Sequence, residues 1–176
     1  MFVQVIEGKT SNPAAIIEQG DRWQQDVRPG AIGYLGVTAG VAADGRTLAI
    51  VRFEDEASAR ANAERPEQTA WFEGMAKLYD GEPTFTESSD VTEWMGGGSN
   101  DAGFVQVMKS TGVDRAQVEK MDAAFESFAG QRPDLLGGLY GASLYIARAA
   151  DPRAARAEVD LVLDTLVSGL LRGATS

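Results

Sequence analysis

Two glutamines and two arginines recur at matching places in the two halves of this chain. Gln4 and Gln106 occupy the third position of two copies of the tetrapeptide Phe-Val-Gln-Val, and Arg52 and Arg148 end two further segments that resemble each other. We predict that all four side chains face the space between two sheets and bind substrate about a pseudo-twofold axis. A guanidinium there would bind a carboxylate or stabilise a phenolate. The alternative is that each arginine reaches solvent at a strand end, beside an acid such as Glu54.

Two residue types that commonly carry chemistry are absent, because the 176 residues include no histidine and no cysteine. This composition excludes disulfides, thiolate metal sites and cysteine nucleophiles. It also excludes histidine-based triads and the commonest ligand of haem and zinc. We therefore expect no metal site and no bound cofactor.

The chain is acidic, with a formal net charge of −10. This charge argues against nucleic acid and anionic membrane surfaces as partners, since both attract lysine and arginine patches. The N-terminal residues lack the basic region and long apolar run of a signal peptide, and no apolar stretch approaches the roughly eighteen residues of a membrane span. We predict a soluble, cytoplasmic protein, and solubility is the simplest explanation of the acidity.

Strands and helices alternate in the first half in the order β-α-β-β-α-β, which is the ferredoxin-like pattern. Turn and cap residues mark the boundaries, among them the Asp-Gly pair of a hairpin and a proline at the first position of a helix. Along the chain, we predict a strand at 2–7, a helix from Pro13, strands at 32–41 and 47–53, a helix from Glu56 interrupted at Pro66, and a strand at 84–91.

The matching segments indicate a duplicated domain. We predict a first repeat at 1–94, a glycine-rich linker at 95–103 and a second repeat at 104–176 that lacks its last strand. The C-terminal segment from Val159 to Leu171 has a broad apolar face that something must cover. It either packs on its own sheet or forms the interface of a homo-oligomer.

This pattern resembles the dimeric α/β-barrel superfamily, which includes the antibiotic-biosynthesis monooxygenase domains. The resemblance rests on the element order, the opening Phe-Val-Gln-Val strand, the strand that ends Val-Arg-Phe-Glu at Glu54, and the acidic and alanine-rich segment from Asp55 to Arg60. More narrowly, the chain is similar to uncharacterised actinobacterial proteins with two such domains in tandem. The resemblance implies an α+β fold in which two ferredoxin-like repeats form a pseudo-dimeric α/β barrel within one chain.

The activities of this superfamily are varied, so the fold does not determine the function. Its haem-degrading branch binds iron through histidine, which this chain lacks. Its quinol-oxygenating branch surrounds an aromatic substrate with Asn, Trp and Tyr residues, and Asn62, Trp71 and Tyr79 lie in the corresponding region here. The resemblance therefore implies a cofactor-independent monooxygenase that acts on a small aromatic or polyketide-like molecule.

In that hypothesis Asn62 and Trp71 donate hydrogen bonds to an oxyanion, Arg52 positions an acidic group and Tyr79 lines the pocket. Each residue also has a structural alternative. Asn62 would face solvent as a polar residue in a helix, and Trp71 would pack in the core, since apolar residues follow it at steps of four and seven. A non-catalytic binding or structural protein therefore stays open, because no residue stands out as a catalytic base.

Overall fold

The chain forms two compact units, Met1–Val91 and Thr92–Ser176. The computed structural model describes residues 1–94, 104–108, 120, 123, 135–141 and 144–149. The first unit is therefore described throughout, and the second mainly through its strands. The repeat and linker boundaries at 94 and 103 stay predictions.

The first unit is a four-stranded antiparallel sheet with helices, as the sequence predicts. The sheet order is β2-β3-β1-β4. Its elements are β1 (Phe2–Lys9), α1 (Pro13–Arg22), β2 (Tyr34–Val41), β3 (Arg46–Phe53), α2 (Glu56–Ala63), α3 (Pro66–Ala76) and β4 (Thr84–Ser88). The α+β class and the βαββαβ order of this half are confirmed, with the second helix divided into α2 and α3.

Local sequence explains where the helices begin and divide. The Asn12 side chain accepts a hydrogen bond from the backbone N–H of Ala15 at 3.2 Å, which caps α1 ahead of Pro13. The backbone of Arg65 is extended, as expected before Pro66, and this separates α2 from α3. Helix α1 continues into a wider π-helical turn at Trp23–Val27 and then a tighter 3-10 turn at Arg28–Gly30, after which the chain enters β2.

One face of the first sheet carries the helices. Phe2 and Phe53 pack with Ala59 of α2 in a buried cluster. Alternation along a strand places Gln4 and Ile6 on the same face as Phe2. The helices therefore cover apolar side chains on this face of the sheet. The cavity described below lies on the same face.

The predicted grouping of Gln4 with Arg52 on one face is wrong. Gln4 lies opposite Val51, and Arg52 lies opposite Val3, in the antiparallel register of β1 and β3. Directly opposite residues share a face, so the two side chains lie on opposite faces of the sheet. The error arose because matching sequence positions do not specify the register between two strands.

The second unit contains another four-stranded antiparallel sheet, in the order β5-β7-β8-β6. Its strands are β5 (Thr92–Trp94), β6 (Phe104–Met108), β7 (Leu135–Gly141) and β8 (Leu144–Ala149). A fourth strand is therefore present, and β5, which precedes the proposed repeat, supplies it. The predicted helix at 159–171 lies outside the described residues, as does any interface that it forms.

The two sheets share a backbone irregularity. The register of β2 against β3 shifts between Tyr34 and Gly36, and that of β7 against β8 shifts between Leu135 and Gly137. This shared shift supports the proposed duplication. The pseudo-dimeric barrel itself stays a prediction. Within the described ranges, no helical segment has the length and hydropathy that a membrane span requires.

Candidate functional site

A cavity of about 630 Å³ lies in the first unit, between the helices and the sheet face that carries Phe2. Its volume is that of a small-molecule site. Ile17 and Phe85 line it and are 57% and 46% exposed, so they mark its opening to solvent. The remaining wall is mostly apolar and includes Ile6, Ile16, Val37, Ala39, Ala49, Val51 and Met75.

Gly20 leaves much of this space open. It belongs to the apolar stripe of α1 between Ile16 and Trp23, where a large side chain would normally fill the core. A Cβ placed on Gly20 would meet no atom within 4 Å. Glycine inside a helix costs about 1 kcal/mol relative to alanine, so the residue weakens the helix while it leaves room for a ligand.

Aromatic rings form a continuous wall around the cavity. The ring of Trp23 lies 4.8 Å from that of Tyr34 and 6.3 Å from that of Trp71. The chain of contacts continues from Trp71 to Phe72 at 6.4 Å and from Phe72 to Phe85 at 5.7 Å. These spacings suit tilted and edge-to-face ring contacts, which an aromatic ligand would extend.

Asn62 is buried, being 3% exposed, and it lines the cavity. Its Oδ1 accepts hydrogen bonds from the backbone N–H of Ile32 at 3.1 Å and from Arg65 Nη1 at 3.2 Å. Two N–H donors on one atom identify that atom as the oxygen. Among the described residues, Nδ2 has no partner and is left as a donor. The solvent-facing alternative for Asn62 is therefore wrong.

Gln68 repeats this arrangement on the next helix. Its Oε1 accepts a hydrogen bond from Trp23 Nε1 at 2.7 Å, and Gln68 lines the cavity. In the part of the chain that the structure describes, its Nε2 has no partner. Gln68 is not among the residues predicted from the sequence, although its position three residues before Trp71 places the two on one helical face.

Trp71 lines the cavity with its ring, but its indole N–H is already engaged. Trp71 Nε1 donates to the backbone oxygen of Gln19 at 2.8 Å, and Gln19 Nε2 donates to the backbone oxygen of Trp71 at 3.1 Å. This reciprocal pair joins α1 to α3. An oxyanion would have to displace a good internal hydrogen bond, so the geometry does not support the predicted donor role.

Gln4 and Arg52 do not meet in the cavity. Gln4 lines it, yet Gln4 Nε2 donates to Glu87 Oε1 at 2.8 Å. Arg60 binds the same carboxylate with both terminal nitrogens, and these bonds, with that from Gln4, hold the pKa of Glu87 below its ordinary value. Arg52 lies on the opposite sheet face, where its guanidinium occupies the space above Gly36.

Tyr79 lies in the turn after α3, at the end of the cavity opposite Asn62. Its ring covers Gly8, where an added Cβ would come within 2.6 Å of it. Burial raises the pKa of Tyr79, and the nearby Thr47 hydroxyl opposes that rise. The two hydroxyls are not aligned as a hydrogen bond, so Thr47 Oγ1 is buried without a partner among the described residues.

Tyr34 adds a second phenol to the wall, and it too is not among the residues predicted from the sequence. Burial raises its pKa, while a hydrogen bond from Gln24 and the charge of Arg28 oppose the rise. A raised pKa keeps a phenol protonated at neutral pH. Tyr34 and Tyr79 are therefore neutral polar groups in the cavity rather than bases.

The remaining predicted residues lie in the second unit. In its backbone register, Gln106 lies opposite Ala147 and Arg148 lies opposite Val105, which repeats the arrangement of the first sheet. Their roles in substrate binding stay predictions, as does a ligand between two facing sheets. Across the described segments, no three acidic residues lie close enough together to hold a metal ion.

The fold resembles those of solved candidate monooxygenases. One from Lactobacillus acidophilus NCFM aligns with a TM-score of 0.66 at 14% identity, covering 90% of this chain and 80% of its own. One from Fusobacterium nucleatum aligns with a TM-score of 0.66 at 12% identity, covering 86% of this chain and 76% of its own. No protein-family model and no curated protein matches the sequence. At these identities the likeness establishes the fold alone.

Proposed function

We propose that the chain is a cofactor-independent monooxygenase that binds a hydroxyaryl or polyketide-like molecule in the cavity of its first unit. The observation that carries the proposal is an aromatic-walled cavity lined by two carboxamides, Asn62 and Gln68, whose N–H donors have no partner among the described residues. Flat rings fit such a wall, and carboxamide N–H groups stabilise an oxyanion without adding a charge.

The proposed chemistry needs the ligand, dioxygen, these donors and water as the proton acceptor. A hydroxyaryl compound that loses its proton to water at the cavity opening becomes electron-rich, and its ring then reduces dioxygen directly. For an anthrone-type ligand, the ring methylene and one O₂ give a ring carbonyl and one water, so that one oxygen atom enters the product. The protein holds the anion on Asn62 and Gln68 and keeps bulk water away.

The alternative is a non-catalytic small-molecule-binding protein. It is favoured by the absence of a base inside the cavity as far as the structure describes it. The carboxylates that line it, Asp21 and Glu73, belong to exposed residues. The ligand would then bind as an anion and leave unchanged.

Oxygen uptake tests the proposal. We would measure dioxygen consumption with a panel of anthrone- and naphthol-type compounds, and binding of each compound by calorimetry. We expect uptake by the wild type, and a loss of roughly 100-fold or more in Asn62→Ala, the usual effect of removing an oxyanion donor.

Gln25→Ala is the matched control, because it removes an exposed carboxamide that does not line the cavity. It should leave uptake unchanged. Binding without uptake across the panel would favour the binding protein over the enzyme. The absence of both binding and uptake would favour a purely structural protein. An unchanged uptake rate in Asn62→Ala would reject the role of Asn62.

A further inference from the structure

A partly buried cation lies directly behind the Asn62 carboxamide. Arg65 Nη1 donates to Asn62 Oδ1 at 3.2 Å, and both terminal nitrogens of Arg65 lie 3.3 Å from the backbone oxygen of Val27. The Arg65 side chain is only 15% exposed. A Cβ on Gly30 would collide with the Arg65 guanidinium, so the guanidinium fits there because residue 30 is glycine.

The charge of Arg65 is weakly compensated. The carboxylate that the structure pairs with it is Glu67, at 3.9 Å and 64% exposed. An ion pair of that length at the surface contributes little to the stability of the folded protein. Among the described residues, the guanidinium is in close contact with the neutral oxygens of Val27 and Asn62.

We propose that Arg65 is a positioning residue that makes Asn62 a donor for the anionic form of a hydroxyaryl ligand. This inference rests on the function proposed above. Arg65 and the N–H of Ile32 hold Oδ1, so the carboxamide cannot flip and Nδ2 is left for the ligand. A charged donor on the oxygen also polarises the amide and strengthens its N–H groups.

A purely structural role for Arg65 would have different consequences. If Arg65 only fixed the end of the π-helical turn through Val27, its loss would lower stability without changing the Asn62 amide. The selection of a ligand anion would then not depend on Arg65. The orientation of Nδ2 and the ionisation of a bound ligand therefore separate the two roles.

The first experiment uses the free protein. The side-chain amide of Asn62 is assigned by nuclear magnetic resonance from its loss in Asn62→Asp, and its order parameter is measured in wild type, Arg65→Lys and Arg65→Met. We expect a rigid amide in wild type, a value below about 0.6 in Arg65→Met and partial rescue in Arg65→Lys. The indole resonances of Trp23 and Trp71 report whether each variant is folded.

An Asn62 amide that stays rigid in folded Arg65→Met would overturn the inference. Should Arg65→Met fail to fold, Arg65→Gln replaces it in the probe experiment described next, since glutamine removes the charge, and an unchanged pKa of the bound probe would then overturn the inference. The amide of Gln68 serves as the internal control and should not change.

The second experiment uses 4-nitro-1-naphthol, whose anion absorbs visible light. We expect the pKa of the probe to be lower when it is bound to wild type than when it is free. In Arg65→Met the pKa of the bound probe should be about one unit higher than in wild type, which corresponds to the loss of one hydrogen bond to a charged group. In an Asn62→Ala background, Arg65→Met should add no further shift. An equal shift in both backgrounds would reject action through Asn62. Failure of the wild type to bind the probe would count against the proposed function, while the amide measurement would still decide the role of Arg65.

Discussion

The polar groups at the two ends of the cavity differ in their hydrogen bonding. At one end, the acceptor of Asn62 is fully used by N–H groups, and its donor has no partner in the part of the chain that the structure describes. At the other end, Tyr79 and Thr47 bring two hydroxyls near each other without an aligned hydrogen bond, and burial keeps the phenol neutral. One end is therefore arranged for an anion and the other for a neutral group.

The ends are far enough apart to orient a ligand. Thr47 and Phe53 lie six residues apart on β3, which corresponds to about 20 Å along the strand. Phe53 packs with Ala59, one turn before Asn62 on α2, while Thr47 lies beside Tyr79. A ligand with one acidic hydroxyl should therefore bind in a single direction, with that oxygen at Asn62.

The largest expected effect comes from filling the space between the two ends. Gly20→Leu should reduce affinity for 1-naphthol by roughly 100-fold, because its side chain occupies the ligand volume. The same change should raise the free energy of unfolding by up to about 1 kcal/mol, since it removes a helical glycine. Calorimetry and urea unfolding measure the two effects. Gly20→Ala is the control and should keep binding; unaltered binding in Gly20→Leu would show that ligands bind elsewhere.

The difference between the ends predicts unequal losses for an anion. Asn62→Ala should weaken binding of ionised 4-nitro-1-naphthol by about tenfold or more, the value of a hydrogen bond to a charged group, and leave its neutral methyl ether unaffected. Tyr79→Phe should change the anion affinity by less than about threefold, because that end is neutral. Equal losses in the two variants would contradict the comparison.

The Tyr79 end can be disturbed alone. Gly8→Ala places a Cβ 2.6 Å from the Tyr79 ring, and such overpacking costs about 1–3 kcal/mol of unfolding free energy. Urea unfolding should show this loss, and the added change Tyr79→Ala should remove most of the penalty that Gly8→Ala causes. Additive losses in the double variant would mean that the ring does not cover Gly8.

The smallest expected effect concerns Glu87, which Arg60 and Gln4 bind beside the cavity. Its pKa in the folded protein is below the ordinary 4.5, so the stabilisation is present above that value and is lost as the pH falls through the lowered pKa. Glu87→Gln should therefore unfold at a lower temperature than wild type at pH 7, and the difference should shrink at an acidic pH well below 4.5, where the lowered pKa is passed. Equal differences at both pH values would contradict this assignment.

Local sequence determined much of the first unit. Asn12 and Pro13 specify the start of α1, Pro66 divides the second helix, and Gly45, with a φ of +82°, closes the hairpin that the Asp-Gly pair predicted. These are short-range effects of backbone conformation, which a sequence displays directly. The element order of this ferredoxin-like unit follows from them.

The site depended on contacts between residues far apart in the chain. The sequence pointed to Asn62, but only the tertiary structure shows its oxygen held by Ile32 and Arg65 and the Trp71 indole bound to Gln19. Strand register, which no local pattern encodes, separated Gln4 from Arg52. The residues of a site can thus be suggested by type and spacing, whereas the partner of each donor and acceptor is decided by packing.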